Sequence, residues 1–219
     1  MKVAILFSGN ASSICSLYLV REAGLEVEFL VTTRAPKNSR MCGRHDPDLT
    51  RISARSLAIP QIEFCAEEGD EIAPLIEALA SLDIDGLCDG AVASNIRRNR
   101  LVRICQKLDI QLVLPLWHKD PTEILANVIE VGFEFMIVML RAEDLDSSWL
   151  GRVLDKENLG DFLQACEEGW ISPLGEGGEF ETIVLAGPDM QGRIELEFEK
   201  RWSGNLGWLE ITTSRHVNG

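Results

Sequence analysis

The chain has 219 residues and a formal net charge of −14, with 46% hydrophobic and 26% charged residues. These proportions are those of a globular protein, so they exclude a disordered or fibrous chain. The excess of acidic residues argues against direct binding of nucleic acid, because phosphate backbones attract positively charged surfaces.

Short apolar runs alternate with amphipathic stretches through the first half of the chain. The predicted strands are 3–7, 27–32, 61–65, 86–93 and 111–114, and the predicted helices are 13–23, 48–58, 71–82 and 96–108. Such alternation is typical of βαβ units with right-handed crossovers. We therefore predict an α/β fold whose first domain, 1–116, has a parallel five-stranded sheet with helices on both faces.

The second half begins with a clear helix start. Asp120 is a predicted N-cap, Pro121 occupies the first helical position and Glu123 the third. This helix is predicted to end at Gly132, and a strand over 133–140 and a helix over 158–168 follow it. The tail contains predicted strands at 183–185, 193–199 and 208–213, joined by glycine-containing turns. We therefore predict a smaller C-terminal α+β domain over 117–219.

Six cysteines show neither zinc-ligand nor disulfide spacing, which favours the reducing cytoplasm and predicts no metal site. Cys65, Cys88 and Cys105 lie in apolar surroundings and are predicted to be core residues. The first apolar run, 3–7, is too short for a secretion signal or a membrane helix. We accordingly expect no membrane partner.

Charge is divided unevenly between the halves. Residues 1–116 carry 13 basic and 15 acidic side chains, whereas 117–219 carry 8 basic and 20 acidic ones. Two interpretations of this charge distribution stay open. The charged residues form solvated helix faces, or the first half binds an anion and the second half binds a cation. Two short segments hold more than half of the basic residues: Arg34, Lys37, Arg40, Arg44, Arg51, Arg55, Arg97, Arg98, Arg100, Arg103 and Lys107.

Small residues lie between the first predicted strand and the first predicted helix, at the carboxyl edge of the sheet. They let the backbone approach a ligand closely, and N–H groups at a helix N-terminus favour a phosphate. The pattern matches neither G-x-x-x-x-G-K-[ST] nor G-x-G-x-x-G. An anion-binding loop and a tight turn with a serine cap both stay open. The segment consists of Ser8, Gly9, Asn10, Ala11, Ser12 and Ser13.

A second loop, 175–182, combines three glycines with three glutamates. Its carboxylates suit a divalent cation or a cationic organic group, and the alternative is an acidic surface turn. The candidate residues are Glu176, Gly177, Gly178, Glu179, Glu181 and Thr182.

Trp117 and Lys119 follow the fifth predicted strand, at the edge where α/β folds usually bind ligands. Trp117 offers a stacking or cation–π face and Lys119 a phosphate partner; core packing is the alternative for Trp117. The three histidines are scattered and give no support to a nucleophilic triad, so no catalytic residue is assigned.

Together these segments resemble a known family. Ser8–Ser13 resembles the S-G-G-K-D-S pyrophosphate loop of the N-type ATP pyrophosphatases, a superfamily of adenine nucleotide alpha-hydrolase-like fold. Four further segments resemble the diphthine–ammonia ligases: Gly90–Ser94, Pro115–Asp120, Ser148–Arg152 and, most specifically, Gly175–Thr182.

The resemblance implies a nucleotide-binding domain over 1–116 and a substrate-binding domain over 117–219. It implies that ATP adenylates the carboxylate of diphthine on elongation factor 2, and that ammonia then displaces AMP to give diphthamide. Ser8–Ser13, Gly90, Ala91 and Ser94 would bind the nucleotide with Mg²⁺. Trp117 and the three glutamates would face the trimethylammonium group of diphthine.

This sequence departs from the family pattern at the pyrophosphate loop. Ala11 stands where the family has Lys, Ser12 where it has Asp, and Asn10 where it has Gly; the family's His near position 43 is replaced by Gly43, with His45 two residues later. The alternative to a working ligase is thus a non-catalytic relative that binds adenine nucleotide or the elongation factor. A universal-stress-like adenosine-binding module is a third possibility, but it leaves the glutamate loop unexplained.

Overall fold

Five parallel strands form the sheet of the N-terminal half in the computed structural model, which describes residues 1–34, 47–66 and 72–217. The predicted α/β class and parallel five-stranded sheet are confirmed. Lys37, Arg40, Cys42, Gly43, Arg44, His45 and Glu71 lie outside the described residues. The strands are β1 (Lys2–Leu6), β2 (Glu26–Arg34), β3 (Gln61–Cys65), β4 (Gly86–Cys88) and β5 (Gln111–Val113), and the helices are α1 (Ala11–Glu22), α2 (Pro47–Ser56), α3 (Ile72–Ala80) and α4 (Asn95–Leu108).

Buried side chains cover both faces of this sheet. Ala4 packs in one cluster with Leu75 of α3 and Ile104 of α4. Val3 and Ile5 point to the opposite face, because side chains alternate along a strand, and they are fully buried as well. The uninterrupted apolar run at the start of the chain is therefore explained by a strand that is covered on both sides.

The strand order, β3-β2-β1-β4-β5, reverses direction between β1 and β4. After β1 the chain builds the sheet outward through β2 and β3, and then returns to add β4 and β5 on the other side. Such a reversal opens a crevice at the carboxyl ends of the two central strands, where α/β proteins bind ligands. The segments that follow β1 and β4 are 8–13 and 89–94, both predicted to bind the nucleotide.

The cysteines follow the prediction in part. Cys88 and Cys105 are buried, and burial raises the pKa of the Cys105 thiol to about 11. The prediction for Cys65 is wrong, because this residue is exposed. It is the last residue of β3, and alternation directs Phe64 inward and Cys65 outward.

An antiparallel sheet forms the C-terminal half, as expected for an α+β domain. Its strands at 193–203 and 206–217 are longer than predicted, and a two-residue strand and a 3₁₀ turn at Ser147–Trp149 were not predicted. No helix in the described part of the chain is long and apolar enough to cross a bilayer. The elements are α5 (Pro121–Glu130), β6 (Glu134–Arg141), β7 (Val153–Leu154), α6 (Leu159–Glu168), β8 (Phe180–Ala186), β9 (Arg193–Ser203) and β10 (Leu206–Val217).

The start of α5 confirms the predicted helix signal. The Oδ1 atom of Asp120 accepts a hydrogen bond from the Thr122 N–H at 2.8 Å, and Pro121 lies in the first turn. A carboxylate in this position satisfies an N–H group that has no intrahelical partner and interacts favourably with the helix dipole.

Three aromatic rings form the centre of the C-terminal core. Phe162 of α6 lies edge-on to Trp149 and to Phe180, with ring centroids 5.2 and 5.4 Å apart. The guanidinium carbon of Arg152 lies 3.9 Å from the centroid of the Trp149 ring. Phe180 is the first residue of β8, so this cluster fixes the strand to which the glutamate loop leads.

The chain divides into two compact units, each formed by more than one segment of the sequence. Unit 1 comprises Met1–Ser8, Ser12–Thr50 and Ile59–His118, and unit 2 comprises Gly9–Ala11, Arg51–Ala58 and Lys119–Gly219. Two short segments of the first half thus belong to the unit of the second half. The predicted boundary between residues 116 and 117 stays a prediction.

Candidate functional site

In unit 1, the segment after β4 lies directly against the first turn of α1. A Cβ atom on Gly90 would lie 2.9 Å from the Ser12 carbonyl oxygen and 3.1 Å from the Ser12 Cβ. Only glycine permits this approach without a shift of the backbone. The structure therefore brings together two of the residues that the sequence assigned to nucleotide binding.

A buried carboxylate shapes the turn that follows β4. Asp89 is fully buried; its Oδ1 accepts from the Ala91 N–H at 2.9 Å, and its Oδ2 accepts from Arg97 at 2.6 Å. These bonds turn the chain, so β4 ends at Cys88 rather than at the predicted residue 93. Ser94 lies at the end of this turn and caps α4, since its Oγ accepts from the Arg97 N–H at 3.3 Å.

Sequence reasoning missed the role of Asp89, although an Asp-Gly pair at a strand end is a turn signal. The pyrophosphate loop has Ala11 in place of the family's lysine, and Arg97 is one basic residue that could supply the missing charge. The ion pair with Asp89 limits this role. The Arg97 guanidinium is already neutralised by the Asp89 carboxylate.

Trp117 is half-buried and already carries a cation. The guanidinium carbon of Arg98 lies 5.6 Å from the Trp117 ring centroid, within cation–π range. The neighbouring His118 ring lies edge-on at 4.7 Å, and the His118 N–H donates to the Val92 carbonyl at 2.8 Å. Lys119 is exposed. An internal arginine thus lies over the indole that the resemblance assigned to a quaternary ammonium.

In unit 2, the segment Gly9–Ala11 runs beside β8. The Gly9 carbonyl accepts from the Val184 N–H at 2.9 Å, and the Ala11 N–H donates to the Thr182 Oγ1 at 3.0 Å. Gly9 has a φ of +76°, and a Cβ there would lie 2.6 Å from the Ile183 side chain. The structure therefore joins the pyrophosphate-loop segment to the last residue of the glutamate loop.

Replacing Thr182 by Val is expected to lower the free energy of unfolding by about 1–3 kcal/mol. The change keeps the shape of the side chain but leaves the Ala11 N–H, in a residue that is 2% exposed, without its acceptor. Urea denaturation measures the effect. Thr182→Ser keeps the hydroxyl and loses only a methyl group, so it is the matched control; equal stability of the two variants would contradict this account.

The glutamate loop is a tight turn held by backbone hydrogen bonds. The Gly178 N–H donates to the Gly175 carbonyl at 3.0 Å, and the Arg141 Nε donates to the Gly178 carbonyl at 3.2 Å. A Cβ on Gly175 would lie 2.5 Å from the Phe180 carbonyl oxygen. Gly175 is therefore required by a close backbone contact as well as by its left-handed φ of +66°.

The glutamates of this loop have different environments. The Glu179 carboxylate folds over Gly177, since a Cβ on Gly177 would lie 2.1 Å from Oε1, and its Oε2 is buried without a hydrogen-bond partner among the described groups. Burial, and then the charge of Glu179, raise the pKa of the Cys166 thiol to about 12. Glu176 is exposed and Glu181 half-buried. Among the described residues, no three His, Cys, Asp or Glu side chains converge to hold a metal ion.

The fold and the two loops define a doubly wound α/β protein joined to an antiparallel α+β unit. A family model described as the diphthamide synthase N-terminal domain matches residues 1–112, and one described as the C-terminal domain matches residues 120–217. The chain belongs to the diphthamide synthase family, as the resemblance predicted.

Curated relatives carry the name diphthine–ammonia ligase. The protein of Homo sapiens is 27% identical over 90% of this chain and 83% of its own length, and that of Bos taurus is 26% identical with the same coverage. The protein of Schizosaccharomyces pombe is 30% identical over 59% of this chain and 22% of its own length. These relatives are carbon–nitrogen ligases by name, which agrees with the expectation that the chain is an enzyme.

Proposed function

We propose that the protein is an ATP-dependent amide ligase that adenylates the diphthine carboxylate of elongation factor 2 and transfers ammonia to give diphthamide, AMP and pyrophosphate. The observation that carries this proposal is the hydrogen bond from the Ala11 N–H to Thr182. It joins the segments that correspond to the family's pyrophosphate loop and to its most specific motif. Both family models match the chain, which supports the same function.

The residues around α1 suit the phosphates of ATP in shape and in hydrogen-bonding groups. The first N–H groups of a helix lack intrahelical partners and attract anions. Gly90 leaves room for close backbone approach, and Ser12 and Ser13 add hydroxyl groups. In this proposal the nucleotide is held by Ser8, Gly9, Asn10, Ala11, Ser12, Ser13, Gly90, Ala91 and Ser94.

Each part of this site has a defined task in the proposed reaction. ATP would supply the AMP group that activates the carboxylate, and Mg²⁺ bound with the phosphates at residues 8–13 would share the charge of the pyrophosphate. The amides of the first turn of α1 after Ala11, whose own N–H donates to Thr182, would stabilise the negative charge on the leaving pyrophosphate. Asp89 keeps the segment 89–94 folded against Ser12 and thus positions Gly90 and Ala91.

The substrate is proposed to bind through the glutamate loop. Glu176 and its neighbours supply a negative field for the trimethylammonium group and its protein carrier. Arg98 competes with that group for the Trp117 ring, so Trp117 can bind it only through a different face or after Arg98 moves. The remaining proposed substrate residues are Lys119, Gly177, Gly178, Glu179, Glu181 and Thr182.

We place the reaction in the cytoplasm, because the described cysteines are all free thiols. Elongation factor 2 is the macromolecular partner in this proposal. The net charge of −14 favours neither nucleic acid nor an anionic membrane surface as a partner.

Exchange of labelled pyrophosphate into ATP tests the proposed reaction. We expect exchange above background only when elongation factor 2 that carries diphthine is added, because adenylation needs the substrate carboxylate. Elongation factor 2 with an unmodified histidine is the matched control and is expected to give background exchange. Absence of exchange together with measurable binding of AMP would contradict the ligase and support a non-catalytic relative.

The non-catalytic relative is the second candidate, and one observation favours it. Ala11 replaces the family's lysine, and two arginines of α4 are already engaged: Arg97 by Asp89 and Arg98 by Trp117. Loss of a cation that neutralises transferring phosphates removes several kcal/mol of transition-state stabilisation, about 10²–10³ in rate. Such a protein would bind a nucleotide or the elongation factor without adenylating it.

A further inference from the structure

Trp170, at the end of α6 in unit 2, is an exposed aromatic residue in a strained backbone position. Its side chain is 95% exposed and its φ is +55°. The Ile171 N–H donates to the Cys166 carbonyl and the Trp170 N–H to the Glu167 carbonyl, which closes the helix in the pattern of a Schellman motif. Glycine is the residue that helices usually have at this left-handed position. Neither packing nor backbone conformation therefore accounts for a tryptophan here.

Acidic residues lie in the two segments that meet at this helix end. Glu167 and Glu168 precede Trp170 on α6, and a Cβ on Gly169 would lie 2.5 Å from the Asp144 carbonyl oxygen. The segment with Glu143 and Asp144 thus packs against the same helix end. Exposed aromatic faces attract cations, and the attraction is strongest for tryptophan.

These carboxylates keep their negative charge available to a partner. Within the described residues, no cationic side chain forms an ion pair with Glu143, Asp144, Glu167 or Glu168. Glu168 accepts only from the neutral Gln164 amide at 2.9 Å. The nearest arginine along these segments, Arg141, donates its Nε to the Gly178 carbonyl.

We infer that Trp170 and the four acidic residues of these two segments form a docking surface for a basic segment of a protein partner. A lysine or arginine of the partner would stack on the indole, and its neighbours would meet Glu143, Asp144, Glu167 and Glu168. The charge complementarity identifies a cationic polypeptide rather than an acidic one or a nucleic acid. This inference rests on the proposed function, because it takes elongation factor 2, the proposed protein substrate, as the partner. The contact lies outside the pyrophosphate loop and the glutamate loop.

Calorimetric titration of the full chain with an octalysine peptide tests the surface directly. We expect binding that weakens as salt is added, and a loss of affinity of at least about fivefold in Trp170→Gly. Glycine suits the left-handed position, so this variant is expected to melt no lower than the parent. Trp170→Phe keeps an aromatic face and is expected to retain most of the affinity, while Glu167→Gln with Glu168→Gln lowers it.

The outcomes separate this inference from the proposed function. If Trp170→Gly binds octalysine as tightly as the parent, the docking surface is wrong whatever the enzyme does. If the parent supports pyrophosphate exchange, we expect Trp170→Gly to raise the KM for elongation factor 2 about fivefold and to leave kcat unchanged, since Trp170 acts only in binding. If the parent gives no exchange, the proposed function has failed and the peptide titration alone decides. A dimeric parent that becomes monomeric in Trp170→Gly would overturn the inference in favour of a second copy of the chain.

Discussion

Ala11→Lys combined with Ser12→Asp is expected to raise pyrophosphate exchange by about 100-fold or more, measured with elongation factor 2 that carries diphthine. The two changes restore the charged members of the pyrophosphate loop. Lysine at the start of α1 would place a cation beside the phosphates, where the helix N-terminus already favours negative charge. The initial rate of label incorporation into ATP measures the effect.

The control for this prediction must separate charge from size. Ala11 is 2% exposed, so any long side chain there requires the surroundings to adjust. Ala11→Met has an unbranched side chain without a charge, and we expect it to give no increase in exchange over the parent. Unchanged exchange in a folded Ala11→Lys, Ser12→Asp protein would show that the missing cation does not limit the reaction.

Gly175→Ala is expected to lower the free energy of unfolding by about 3 kcal/mol, the largest stability effect that we expect of a single methyl group in this protein. Gly175 has a φ of +66°, and the new Cβ would lie 2.5 Å from the Phe180 carbonyl oxygen. Because the colliding atom belongs to the backbone, a rotamer change cannot relieve the contact. Urea denaturation measures the loss.

Gly178→Ala is the matched control for the steric part of this effect. Gly178 also has a left-handed φ, +79°, but a Cβ there would meet no atom within 4 Å. We expect a cost of about 1 kcal/mol from backbone strain alone. If the two variants lose the same stability, the close contact with Phe180 does not constrain the loop. A larger loss in Gly175→Ala shows that the close contact with the Phe180 carbonyl constrains the backbone of the loop.

Local signals predicted the framework of the fold well. The apolar run at β1 and the capped start of α5 each depend on residues that are neighbours in sequence. The strands β9 and β10 extend beyond their predicted bounds because residues such as Lys200, Arg201 and Arg215 carry no apolar pattern, and they belong to strands through the pairing of β9 with β10. The two-residue strand β7 exists only through pairing with Phe135 and Met136, which no local pattern encodes.

The candidate site shows the same division between local and distant information. The strand order places the ends of β1 and β4 side by side, and Gly90 contacts Ser12 there; local patterns did not predict this order. The bond between Ala11 and Thr182 joins residues 171 positions apart, so no motif spacing could predict it. The ligand was expected to supply the cation that contacts the Trp117 ring. In the structure this cation is Arg98 of α4, a helix whose basic residues could be interpreted as a solvated face.

The membership of Gly9–Ala11 in unit 2 affects the order in which the protein can be completed during synthesis. The acceptor of the Ala11 amide, on Thr182, is made 171 residues after Ala11 itself. Until Thr182 is made, the Ala11 N–H must donate to water. The strands before and after α1, β1 and β2, find their neighbours β4 and β3 in chain that is made earlier than Thr182. The start of α1 therefore reaches its final environment only after β8 has been translated, which couples the loop after β1 to a strand that is made much later.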